Sequence, residues 1–410
     1  MTALTFRPVH LPAAALCLLL SMPLFPAGPA VAAPFTPAGD AEVLERLPLR
    51  RSDPASIELQ ALRKAHAAAP KDAEAAARLA RRYFELAGEE GDPRYIGYAE
   101  AALRAWPGAD APVEVVLVRA LLRQFRHAFG PALEDLAHVL ARDPSNTEAM
   151  FWRAALHLAG ARYDEARAEC ARLEPHATAL TVQACRTAAD SITGRARAAH
   201  DALARQLAST PPRDVEFARW VTTRLAEAAQ RAGDDAQAER HYKSALAQAR
   251  ARKTTDGYLL AAYADLLLDL DRPAEVLALL REAGRSDVLL LRLAIAEART
   301  GAPGAARSAA ELRDRFAASA LRGERLHQQE EARFALELGR DPKAALALAQ
   351  ENWKTQREPR DARVLMQAAL AAGQPQAAAE ALAWMQRTGY EEPRYRALAA
   401  RLQGTGAAGQ

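Results

Sequence analysis

Beyond residue 40, two cysteines, eight histidines and some adjacent glutamates are the residues best suited to chemistry. Cys170 and Cys185 stand fifteen residues apart, close enough in sequence to form a short covalent loop. With His176 between them they offer three metal ligands, one short of a closed tetrahedral site. The histidines, His66, His127, His138, His157, His176, His200, His241 and His327, are scattered and form no HExxH or similar spacing. Gly301-Ala302-Pro303-Gly304 has the look of a turn rather than a phosphate loop, and no serine sits in a nucleophile elbow. Glu89-Glu90 and Glu330-Glu331 are adjacent, so they point to different faces or lie in a turn, as solvated surface residues do. The five tryptophans form no aromatic and basic strip for single-stranded nucleic acid. No catalytic, cofactor-binding or metal-binding residue is assigned, and binding is expected before catalysis.

The elements that must position these residues are helices. Two alanines recur twelve residues apart, with a turn between them, as Ala120/Ala132, Ala154/Ala166, Ala226/Ala238, Ala262/Ala274, Ala294/Ala306 and Ala332/Ala344. Small residues at that separation let the two antiparallel helices of a hairpin approach closely. Six such pairs at hairpin intervals predict an array. Helical pattern starts at Asp53-Pro54, an N-cap followed by a first-turn proline. Pro70, Pro107, Pro144 and Pro175 mark early boundaries, and Gly160, Gly233, Gly301 and Gly339 mark turns. No period-two run predicts a strand.

Asn146 to Pro175, NTEAMFWRAALHLAGARYDEARAECARLEP, and Trp220 to Gln248, WVTTRLAEAAQRAGDDAQAERHYKSALAQ, resemble the tetratricopeptide repeat (TPR). Ala154, Gly160, Tyr163 and Ala166 match that pattern, as do Ala226, Gly233, Ala238, Tyr242 and Ala245. The resemblance implies an all-α, right-handed α-solenoid of eight or nine hairpins. These are expected at 73–107, 113–144, 147–175, 178–208, 218–248, 255–283, 287–316, 325–353 and 361–388, with a capping helix near 392–402. Three hairpins fit loosely. The first has a longer turn and Tyr95 at the second small position, the fourth has Thr187 and Ala199, and the last has Ala368 followed by Ala378.

The chain has 410 residues, 50% hydrophobic and 26% charged, with a net charge of +3, too weak to argue for nucleic acid. Six lysines stand against 48 arginines, the bias of a GC-rich genome. Arg7 and His10 precede an apolar run from Leu11 to Phe25, and Ala30-Val31-Ala32 offers a cleavage site. Residues 1–33 are therefore expected to be a signal peptide, 34–54 a lead-in, 55–402 the array and 403–410 a flexible tail. Export to a bacterial periplasm is expected, with no membrane span in the mature chain. In that oxidising compartment a Cys170–Cys185 bond is favoured, across the turn near Pro175-His176. Two buried reduced thiols are the alternative.

First helices of stacked hairpins line a concave face. The partner-facing candidates are Arg81 and Glu85 in hairpin one, Leu117, Leu121 and Phe125 in hairpin two, and Phe151 and Leu158 in hairpin three. Hairpin five adds Trp220, Glu227 and Arg231. The expected function is a non-catalytic, exported scaffold holding a protein segment in this groove, in envelope assembly or secretion. The alternatives are an accessory subunit of an envelope enzyme complex and a homo-oligomerising structural protein. The oligomeric state is not legible.

Overall fold

Helix starts follow their caps. Asp72, Asn146, Thr178, Asp214 and Asp256 each accept a backbone N–H from the first turn of the helix they precede. Each of these satisfies an orphan donor of a helix N-terminus. The computed structural model describes residues 54–252, 254–281, 286–324 and 327–407. The expected signal peptide and most of the lead-in lie outside the described residues, as do residues 408–410.

The described residues form twenty α-helices and one short 3-10 turn, with no strand. After α1 (Pro54–Ala68) come nine antiparallel hairpins. These are α2 (Ala73–Glu90) with α3 (Arg94–Ala102), α4 (Val113–Phe125) with α5 (Phe129–Arg142), and α6 (Thr147–Ala159) with α7 (Tyr163–Arg172). Then follow α8 (Ala179–Asp190) with α9 (Ala196–Ser209), α10 (Val215–Arg231) with α11 (Asp235–Arg252), and α12 (Gly257–Asp269) with α13 (Pro273–Leu279). The last three are α14 (Asp287–Thr300) with α15 (Ala305–Leu321), α16 (Gln328–Glu337) with α17 (Pro342–Trp353), and α18 (Pro359–Ala371) with α19 (Ala379–Thr388). A final helix, α20 (Pro393–Ala407), closes the stack. No helix among the described residues is long and apolar enough to cross a membrane.

Burial shows which small residues occupy the crossings. Ala120 and Ala132, Ala154 and Ala166, and Ala226 and Ala238 are all buried. Thr187 and Ala199 are buried too, and Thr187 Oγ1 donates to the Ala199 carbonyl at 3.3 Å, so the loosely patterned fourth hairpin crosses normally. In hairpin six the buried pair is Ala264 and Val276, still twelve apart, while Ala274 and Ala278 are exposed. Hairpin seven exposes Ala306 and buries Ser308, because Gly301–Gly304 lengthens the turn. Hairpin eight buries Ala345 rather than Ala344, with Arg340 at φ 52° in a turn one residue longer.

The array does not stay a simple stack, because its later hairpins return onto the earlier ones. Gly91, at φ 66°, lies so close to Ser286 that a Cβ there would come within 2.7 Å of the serine Cβ. Arg357 N–H donates to the Ala159 carbonyl at 2.8 Å, and Trp384 Nε1 donates to Tyr163 Oη at 2.8 Å. Ala196 N–H donates to Glu391 at 2.8 Å, and Arg394 bonds Asp235 at 2.7 Å. Hairpin one therefore meets the start of hairpin seven, and hairpin three meets hairpin nine. Five hairpins lie between the contacting elements of each pair, so the solenoid closes turn upon turn.

Candidate functional site

Closure converts the concave face into a lumen of about 380 Å³. It is lined by the first helices α10, α12, α14, α16 and α18, with Leu158 from α6 and Tyr390, Glu392 and Tyr395 from the C-terminal end. Each first helix turns charge inward at helical spacing: Arg224, Glu227 and Arg231 on α10, Asp265 and Asp269 on α12, Arg333 and Glu337 on α16, Arg360 and Arg363 on α18.

The charges are paired across hairpins. Asp265 bonds Arg292 at 2.7 Å and Arg333 at 2.6 Å. Burial opposes its ionisation, yet these two guanidiniums hold its carboxyl well below the usual carboxylate range. Arg292 is only 1% exposed and also donates to the Val288 carbonyl at 2.8 Å. Glu337 takes Arg333 at 2.7 Å and Arg299 at 2.9 Å, and Asp269 takes Arg363 at 2.6 Å. Glu227 is buried, pairs with Arg224 at 3.0 Å and Arg231 at 3.5 Å, and accepts the Tyr258 hydroxyl. Despite the burial penalty, the two arginines lower its pKa.

A continuous strip leads from the rim into the lumen. Phe217 stacks on Trp220 at 5.9 Å, and Phe151 meets Trp220 edge-on at 5.4 Å. The Arg224 guanidinium lies 5.7 Å from the Trp220 ring and 4.9 Å from the Tyr258 ring, and Arg360 lies 5.4 Å from Tyr258. Aromatic faces and guanidiniums attract in this arrangement.

The expected partner-facing residues are thus divided. Phe151 and Trp220 are in contact and half-buried at the rim. Leu158, Glu227 and Arg231 line the lumen. The assignment of Leu117 and Leu121 is corrected: they are 6% and 1% exposed, because the apolar face of α4 turns into the core. Phe125 packs half-buried against the N-terminal core. Arg81 is engaged with Glu148 at 2.7 and 3.0 Å, and Glu85 is exposed beside Arg82. Sequence reasoning missed Arg224, Tyr258, Asp265, Arg333 and Arg360. Their signal was the polar stripe at i, i+3 or i+4, and i+7 within otherwise apolar first helices.

The structure joins Cys170 and Cys185, both buried, in a disulfide with Cα atoms 5.6 Å apart, linking α7 to α8. It also brings together two of the scattered histidines. His200 Nε2 on α9 and His241 Nε2 on α11 share a hydrogen bond at 3.1 Å, and His200 Nδ1 meets Asp201 at 2.9 Å. No group of three metal-ligating side chains occurs among the described residues. Burial, with the neighbouring His200, pushes the His241 pKa down to about 4. The unfolded chain binds that proton near the ordinary value of about 6.5, so the folded state is favoured above it and loses stability as pH falls from 6.5 towards 4. Between pH 7 and pH 5 stability should therefore fall, and His241→Gln should flatten that part of the pH profile of urea unfolding. An unchanged profile would contradict the assignment.

No family model matches the chain, and no curated protein matches it. Among solved structures, a tetratricopeptide repeat protein from Parabacteroides merdae is 13% identical, with 70% of this chain and 98% of that one covered and a TM-score of 0.36. The P58(IPK) TPR domain is 17% identical, covering 83% and 99%, with a TM-score of 0.24. Yeast Tom70 is 12% identical, covering 86% and 92%, with a TM-score of 0.32. By its own residues, with small side chains buried at the crossings of successive stacked hairpins, the chain is a TPR-like helical-repeat protein.

Proposed function

We propose that this chain is an exported, non-catalytic interaction scaffold of the bacterial envelope. The TPR-like fold is in general a scaffold for protein–protein interaction. The rim formed by Phe151, Trp220 and Phe217 carries the finer reading. Three half-buried aromatic rings on two first helices give a compact apolar anchor point, edged by the lumen's arginines. A partner segment with an apolar side chain followed by an acidic one fits that order. The lumen behind the rim is too small for a long segment to lie along all nine hairpins, so contact is confined to the rim rather than spread over the expected groove.

The test is affinity capture from the native envelope with the mature chain. One or two stoichiometric partners should be recovered. Phe151→Ser combined with Phe217→Ser should weaken capture at least tenfold, roughly the effect of losing one good aromatic anchor, while circular dichroism stays unchanged. Capture that survives in the folded double variant would sink the rim assignment.

A further inference from the structure

We propose that the lumen is a binding site for a small organic anion, a carboxylate or phosphate ester that also carries hydrogen-bond donors, seated on Arg360. The lining carries a charge left over. Seven arginines and six carboxylates line the space. Asp265, Asp269, Glu337 and Glu227 are each committed to arginines at 2.6–3.0 Å. Glu358 is spent on the reciprocal cap at the start of α18, and Glu392 accepts the Tyr390 hydroxyl at 2.9 Å. That leaves Arg360, whose nearest carboxylate contact is Glu358 at 3.9 Å and which makes no hydrogen bond among the described residues. Its guanidinium and that of Arg224 both lie over the Tyr258 ring, so two positive charges share one phenol. The first turn of α18 adds the positive end of a thirteen-residue helix at the same place.

The remaining polar atoms fit a ligand of this class. Gln329 is on the lining and 6% exposed, and its Oε1 is buried with no hydrogen-bond partner. Arg224 Nε is likewise buried without a hydrogen-bond partner. A buried amide oxygen without a donor is costly, so an occupant that donates to it is favoured. Burial also raises the pKa of Glu392, which weakens the negative charge on the lining. A volume of about 380 Å³ lies within the ordinary range for small-molecule sites. Tyr258, 42% exposed, leaves the mouth open to solvent. This site is separate from the rim, so the partner reading stands or falls without it.

Isothermal titration of the mature chain with citrate, with glycerol 3-phosphate and with glycerol tests the proposal. One or both anions should bind saturably and glycerol should not; citrate alone marks a carboxylate site, and glycerol 3-phosphate alone a phosphate site. Arg360→Gln should weaken the binding at least about tenfold, while Arg78→Gln, on the exposed outer surface, should leave it unchanged. If Arg360→Gln fails to fold, Gln329→Leu should give the same weakening. Absence of saturable anion binding up to about 10 mM, or equal weakening by Arg360→Gln and Arg78→Gln, overturns the site. Phe151→Ser with Phe217→Ser should not alter anion binding, so the two readings fail separately.

Discussion

Replacing Trp384 by alanine should destabilise the protein by about 3–5 kcal/mol, the largest effect expected of a single substitution here. The indole is 1% exposed. It packs edge-on against Trp353, with ring centres 6.2 Å apart, and against Tyr390 at 5.1 Å. Truncation removes that buried surface, opens a cavity, and strands the Tyr163 hydroxyl to which Nε1 donates. Burial holds the Tyr163 pKa up to about 12, so its hydroxyl stays neutral at working pH. Trp384→Phe, which keeps most of the apolar volume, should cost about 1–3 kcal/mol for that hydroxyl. The informative readout is hydrogen exchange resolved by peptide. In an array held only by neighbour contacts, damage at α19 would spread to α18 and α20 and no further. Here exchange should also rise in α6 and α7, because Tyr163 lies 221 residues away in sequence and in direct contact. Unchanged protection in hairpin three would contradict turn-to-turn closure.

Replacing Cys170 and Cys185 together by alanine should lower stability by roughly 3 kcal/mol in the chain-entropy model, for a bridge between residues fifteen apart. The loss should concentrate where α7 meets α8. Unfolding in urea with and without reductant measures the same quantity on the unaltered chain. Alkylation of the native protein before reduction should leave both thiols unlabelled. Labelling at that stage, or identical unfolding curves, would show that the two sulfurs are not bonded in the cell.

Alanine spacing located the crossings where one face of each helix is apolar and the other is not. Hairpins two, three and five follow it to the residue. It slipped in hairpin six because α12, GYLLAAYADLLLD, is apolar nearly all round, so no stripe distinguishes Ala262 from Ala264. In hairpins seven and eight, extra turn residues moved the buried small residue beyond the expected one. The candidate site was half legible. Glu227, Arg231, Phe151 and Trp220 were visible as first-helix residues. Their neighbours Tyr258, Arg333 and Arg360 were not, because which hairpins face one another across a lumen depends on a small rotation summed over several repeats. The same summation hid the contacts of Tyr163 with Trp384 and of Gly91 with Ser286.

Those contacts bear on how such a chain can change over generations. Repeat arrays commonly lengthen or shorten by duplicating or losing a unit, since each unit answers only to its neighbours. Here the removal of one hairpin between the fifth and the ninth would carry Trp384 away from Tyr163 and Arg394 away from Asp235 together. The number of units is thereby locked, and drift in this lineage should proceed by substitution on the outer helices and by changes in turn length, with the hairpin count held constant.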